Sequence, residues 1–178
     1  MTPSPASALA APVDAADHAI GPAAAPVTLV VYGDYECPYT LLLMPAVTGL
    51  VDHFGDRLRF VFRHFPLSKH PHAALAAEAA EGAAAQGRFW DMHVALFAGQ
   101  DALEPDDLVR YAADLGLDVP RFRADLVAHA HRPRVERDLE SGRRSGVAGT
   151  PTEFLNGVLY TGEDRLTGLT RAVAALLP

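Results

Sequence analysis

Cys37 is the only cysteine of the chain and lies in Gly33-Asp34-Tyr35-Glu36-Cys37-Pro38-Tyr39-Thr40, directly after the apolar run Val27-Thr28-Leu29-Val30-Val31-Tyr32. A strand is handed to a helix at that point, with the sulfur at the joint. The unpaired backbone N–H groups of a helix start, and the positive end of its dipole, favour thiolate over thiol. Thiolate is the form that attacks disulfides, so nucleophilic thiol chemistry is the expectation. A Cys-x-x-Cys enzyme carries its second sulfur three residues on, where this chain has Thr40. Residues i and i+3 share a helix face, which would let the Thr40 hydroxyl donate a hydrogen bond to the thiolate.

The elements that would hold this joint follow from periodicity and punctuation. Val27–Tyr32 is β-branched and nearly all apolar, as a strand buried on both faces is. A helix is expected from Pro38 to about Phe54, with Pro38 in its first turn and Pro45 interrupting its hydrogen bonds. Leu58–Arg63, closed by Pro66, reads as a second strand, parallel to the first because one helix intervenes. From His72 to Ser145 Gly and Pro punctuate helical blocks: Ala73–Gln86, Phe89–Phe97, Asp106–Leu115, Pro120–Ala130 and a charged stretch through Leu139. Gly149–Tyr160 reads as a hairpin around Asn156-Gly157, and Leu166, Leu169, Val173 and Leu176 mark an amphipathic closing helix. The order is β-α-β, helical insert, β-β-α.

With 178 residues, 49% of them hydrophobic, the chain can bury one core with a lobe attached. A net charge of −7, with no basic cluster beyond Arg143-Arg144, argues against nucleic acid or an acidic membrane as partner. No run of about 18 apolar residues provides a helical membrane span. One cysteine cannot form an internal disulfide, and Met1–Pro26 lacks the apolar segment of a secretory signal, so a cytoplasmic location and a flexible arm over 1–26 are expected. The pairs His70-x-His72 and His129-x-His131 lack helical i, i+4 spacing and have no thiol beside them, so no metal site is assigned.

This order resembles the thioredoxin fold with a helical domain inserted before its third strand, and within it the DsbA-like thiol–disulfide oxidoreductases. The stretches that carry the likeness are Tyr32–Tyr39, Arg63–Leu67, Gly87–His93 and Gly146–Thr152. The resemblance implies an α/β thioredoxin-like domain over 27–67 and 147–178, with an all-helical insertion over 68–146. It makes Pro151 the residue after a cis peptide bond beside the active cysteine, and leaves the backbone of Thr150 free to pair with an extended substrate. By position, Cys37 and Thr40 are then the catalytic pair, and Thr150, Pro151, Pro38 and Tyr39 the substrate-binding residues. Thr40 and Glu153 depart from the family pattern, and a carboxylate of Glu153 or Glu36 near the sulfur would oppose the helix dipole.

The implied activity is thiol–disulfide exchange through Cys37 alone, on a disulfide-containing protein or small molecule. No cofactor is bound, and glutathione or another small thiol serves as co-substrate to resolve the mixed disulfide. The alternative is a non-catalytic module whose groove holds an extended peptide by backbone pairing. A glutathione-assisted iron–sulfur carrier, by analogy to monothiol glutaredoxins, is a third reading.

Overall fold

The sheet begins earlier in the chain than periodicity indicates. In the computed structural model, which describes residues 8–162 and 167–178, His18–Ile20 forms strand β1. Strand β2 (Val27–Gly33) leads through a tight turn into helix α1 (Pro38–Phe54), and a single 3-10 turn at Gly55–Arg57 leads into β3 (Leu58–His64). Five helices follow: α2 (Ala73–Ala84), α3 (Phe89–Ala98), α4 (Pro105–Asp114), α5 (Val119–Val127) and α6 (Arg132–Arg144). The chain returns to the sheet as β4 (Thr152–Leu155) and β5 (Val158–Leu159), and ends in α7 (Thr167–Leu176). The strand order is β1-β3-β2-β4-β5. β2 and β3 run parallel, as their single-helix crossover requires, and the other pairs are antiparallel.

Alternation along β2 divides the core in two. Val27, Leu29 and Val31 face one side with Leu58, Phe60 and Phe62 of β3, against Leu43, Val47 and Leu50 of α1 and the insert. Val30 and Tyr32 face the other side with Val61, Phe65, Val147 and Phe154. Gly142 lets α6 close onto this second face: a Cβ there would fall 2.6 Å from Phe65 Cδ2 and 3.1 Å from Tyr32 Cδ1. The Asn156-Gly157 turn has positive φ at both residues, 48° and 80°, the backbone that a two-residue hairpin asks for. Of the expected closing stripe, Leu169 and Val173 are buried, Leu176 is 45% exposed, and Leu166 lies outside the described residues.

The flexible arm expected over 1–26 is corrected for residues 8–26. Besides β1, Ala8 bridges to Val158, the Leu9 N–H donates to the Gly157 carbonyl, and the Ala10 N–H donates to Ser145 Oγ. The physical cause is Arg63, buried in β3, whose guanidinium would be costly without acceptors. It donates to both Asp17 carboxylate oxygens at 2.8 and 2.9 Å, to the carbonyls of Ala11 and Pro12, and to the Tyr32 hydroxyl. Composition conceals this, because an Ala/Pro segment has no periodicity to read, and its carbonyls serve a residue far away in sequence.

Candidate functional site

The turn between β2 and α1 is built around Asp34, which is buried. Its carbonyl accepts the Cys37 N–H at 3.1 Å, and its Oδ1 accepts the Glu36 N–H at 2.7 Å. Its Oδ2 accepts the Leu67 N–H at 2.9 Å and meets His70 Nδ1 at 2.7 Å. Cys37 occupies the N-cap position of α1 in extended backbone, with Pro38 opening the first turn as its fixed φ allows. The sulfur therefore sits where the helix presents its unpaired N–H groups. From the insert, Gln100 Nε2 donates to the carbonyls of Tyr35 and Cys37 at 2.7 and 3.1 Å. Tyr35 is itself buried, its hydroxyl 3.0 Å from His93 Nδ1. Burial drives His93 down to about 3, with His64 and His18 pushing the same way.

The Cys37 thiol donates to the Thr150 carbonyl at 3.3 Å, and the Thr150–Pro151 peptide bond is cis. Cys37 borders a groove of about 430 Å³ lined by Tyr39, by the segment Leu67, Ser68 and Lys69, and by the segment Ala148, Gly149 and Thr150. Cys37, Tyr39 and Thr150 thus border one groove. Pro151 is buried, and Pro38 lines a neighbouring depression with Glu36, His72, Gln100, Leu103 and Glu104. Thr40 is placed differently. It is fully buried, its Oγ1 accepts the Asp34 N–H at 3.5 Å, and it makes no hydrogen bond to the sulfur, because its hydroxyl is turned toward the strand end.

The two carboxylates of concern sit apart from the sulfur's groove. Burial works against ionisation of Glu36, but hydrogen bonds from the His72 ring and the His72 N–H hold its carboxyl below the usual range. Glu153 is buried in β4 opposite Val31 and does not line the groove.

Histidines of the expected pairs each face a carboxylate: His70 with Asp34, His72 with Glu36 and Glu104, His129 with Glu78, and His131 with Asp125. Among the described residues one group of metal-ligating type converges, His18, His64 and Glu81, with ligand atoms within 4.8 Å of one another. Both Nε2 atoms lie 2.8 Å from Glu81 Oε1, so hydrogen bonding to a carboxylate accounts for the convergence. Burial opposes ionisation of Glu81, but these two histidines hold it well below the carboxylate range. Sequence reading missed Asp34, His70, Gln100 and the 67–69 wall. An Asp after a buried strand signals a turn, and nothing local shows that its side chain reaches across to another loop.

The family model described as Thioredoxin matches residues 14–175. The chain belongs to that family. A thioredoxin-like oxidoreductase from Silicibacter pomeroyi DSS-3 superposes with a TM-score of 0.80 at 28% identity, covering 91% of this chain and 92% of that one. BdbD from Bacillus subtilis superposes at 0.79 with 22% identity, covering 89% and 91%. The thiol-disulfide exchange protein alpha-DsbA2 from Wolbachia pipientis gives 0.77 with 20% identity, covering 92% and 88%. The architecture is therefore that of the DsbA-like thiol–disulfide oxidoreductases. Among curated proteins, the Na(+)/H(+) antiporter NhaA 3 of Salinispora tropica is 47% identical over 167 residues, 93% of this chain and 26% of that protein. NhaA of Herminiimonas arsenicoxydans is 50% identical over 141 residues, 79% of this chain and 22% of that protein. The chain spans about a quarter of the length of these relatives. No helix among its own described residues is long and apolar enough to cross a membrane.

Proposed function

We propose that the chain performs thiol–disulfide exchange through Cys37 alone. The observation that carries this reading is the Cys37 sulfur at the α1 N-cap, 3.3 Å from the Thr150 carbonyl and bordering an open groove. The Cys37 thiolate attacks one sulfur of a substrate disulfide. A Cys37–substrate S–S bond forms, the substrate's own S–S bond breaks, and the departing sulfur leaves as a thiolate that takes a proton from water. Thr40 carries no sulfur to complete the exchange internally. An external small thiol, as thiolate, therefore attacks the Cys37 sulfur of the mixed disulfide and releases the second substrate sulfur as thiolate; a second small thiol then attacks the small-thiol sulfur of the new Cys37 disulfide, forming the small thiol's own disulfide and returning Cys37 as thiolate. A reducing compartment such as the cytoplasm, containing glutathione or a similar thiol, would supply that step.

The resting hydrogen bond gives the Thr150 carbonyl a part in recognition. Once the thiol loses its proton, sulfur and carbonyl oxygen are two acceptors facing each other. An N–H from an extended substrate removes that conflict by donating to Thr150, so peptide pairing and thiolate formation favour one another.

The test is a peptide disulfide with added glutathione. The parent protein should form a mixed disulfide at Cys37, detectable by intact mass, and accelerate reduction, whereas Cys37→Ser should run at the uncatalysed rate. Equal rates for the two would refute the reading. A second reading concerns the partner. The curated relatives are named as sodium–proton antiporters and contain this chain's counterpart as about a quarter of their length. That favours an antiporter as the protein whose thiols or disulfides Cys37 serves. Mixed-disulfide formation with such an antiporter's cysteines, absent in Cys37→Ser, would test it.

A further inference from the structure

The part of the groove wall formed by Leu67, Ser68 and Lys69 is held by one buried carboxylate, and that arrangement bears on which substrates the groove accepts. Leu67, Ser68 and Lys69 lie between β3 and α2, in a connection with no regular structure. Its anchors are the Leu67 N–H and His70 Nδ1, both on Asp34 Oδ2, with the His70 N–H closing the turn on the Leu67 carbonyl at 2.9 Å. The Asp34 side chain is fully shielded and that of His70 only 16% exposed, so these bonds form away from bulk water. The same Asp34 supports the Cys37 turn, through its carbonyl and through Oδ1. Wall and nucleophile thus share one fixed point. The wall also carries Lys69, the only lysine of an acidic chain, exposed, and with no carboxylate within ion-pair distance among the described residues.

We infer that Asp34 and His70 are positioning residues that hold the Leu67–Lys69 wall beside Cys37, and that this wall selects disulfides with a carboxylate flanking the reacting sulfur. The inference rests on the proposed exchange activity for its rate readout. Leu67 offers the flank an apolar contact and Lys69 an unpaired positive charge. A single ion pair at an exposed site supports a preference of about threefold, reduced by salt. The wall keeps that preference only while its position is held, since a charge on a mobile loop gives up the benefit in ordering.

The experiment compares His70→Ala, which unhooks the wall, with His70→Asn, whose side-chain amide can place an N–H where Nδ1 stands. The readouts are amide exchange at Leu67–Lys69, alkylation of Cys37 by iodoacetamide, and exchange kinetics with two peptide disulfides, glutamate or glutamine flanking the cysteine. His70→Ala should speed amide exchange about tenfold or more, as loss of a hydrogen bond to a charged group implies. It should raise the half-saturating peptide concentration with kcat little changed, abolish the glutamate preference, and leave alkylation within about twofold, because iodoacetamide needs no wall. His70→Asn should restore all three. Alkylation falling in step with peptide exchange would overturn the inference by placing the effect on the sulfur, and so would unchanged wall protection. Should the parent form no mixed disulfide, the proposed activity fails. The wall is then read by amide exchange and by binding of the reduced, S-methylated peptides, where equal affinity of parent and His70→Ala for the glutamate peptide would overturn it.

Discussion

Acid should loosen this protein through His93 before it protonates the carboxylates. The ring is buried against Phe62 at 4.6 Å and Phe97 at 5.0 Å between centroids, with Nδ1 on the Tyr35 hydroxyl. Burial lowers its folded pKa to about 3, whereas in the unfolded chain it titrates near 6.5. The unfolded state therefore binds the proton first. The associated stability is intact above about pH 6.5 and falls by about 1.4 kcal/mol per unit as pH drops toward 3, a loss of about 2.5–3 kcal/mol by pH 4.5. Glu81, Asp17 and Glu36, all lowered in the fold, lose their contributions only as pH falls below about 4.5, where unfolded carboxylates protonate. His72, raised by its hydrogen bond to Glu36, works in the opposite direction, its stabilisation fading as pH rises. Comparison with His93→Asn, which keeps an acceptor for Tyr35, isolates the His93 contribution. Urea unfolding from pH 8 to 4.5 should show the parent losing about 2.5–3 kcal/mol more than the variant. Parallel curves for parent and variant would refute the argument.

Two further substitutions test the site and the arm. Thr40→Cys places a second sulfur one helical turn from Cys37 at a fully buried position, so oxidation should join it to Cys37, with loss of two hydrogens by intact mass. Peptide reduction should then proceed without glutathione, provided a dithiol reductant regenerates the pair, and persistence of a free thiol after oxidation would count against the geometry. Asp17→Asn leaves the buried Arg63 guanidinium without its counter-charge, which should cost about 3–5 kcal/mol. The urea midpoint should fall, and residues 8–17 should become sensitive to protease. An unchanged midpoint would mean the carbonyls of Ala11 and Pro12 suffice for Arg63.

Local signals made β2, α1, β3 and the hairpin legible. Val27–Tyr32 is too apolar and branched to be anything but a buried strand, Pro38 opens a helix, and Asn156-Gly157 permits one turn type. Cys37 was found because its position at a helix start is itself local. What sequence did not disclose depends on pairs distant along the chain. β1 is three residues long at a sheet edge, below the length at which alternation can be recognised, and it exists because β3 offers an open edge. Glu78 and Glu81, within the helical block read over Ala73–Gln86, are both buried, since His129 and Arg132 reach one and His18 and His64 the other. Asp34 read as a turn residue. Its bonds to Leu67 and His70 come from the β3–α2 connection, which the parallel pairing of β2 and β3 brings beside the turn.

The helical insert is what makes an acidic residue tolerable next to the nucleophile. Glu36 immediately precedes Cys37, and a free carboxylate there would oppose the helix-start N–H groups that favour charge on the sulfur. Its hydrogen bonds run instead to the His72 ring and N–H, just before α2, while Glu104 before α4 holds the far side of that ring at 3.1 Å. Gln100 fastens the carbonyls of Tyr35 and Cys37, and His93 fastens the Tyr35 hydroxyl. The Glu36 carboxylate and the Tyr35 and Cys37 carbonyls are thereby bonded to the insert, while the Cys37 thiol donates to the Thr150 carbonyl. A substrate that takes over that carbonyl removes the acceptor of the Cys37 thiol, so the strand-pairing residue and the nucleophile respond to the same event.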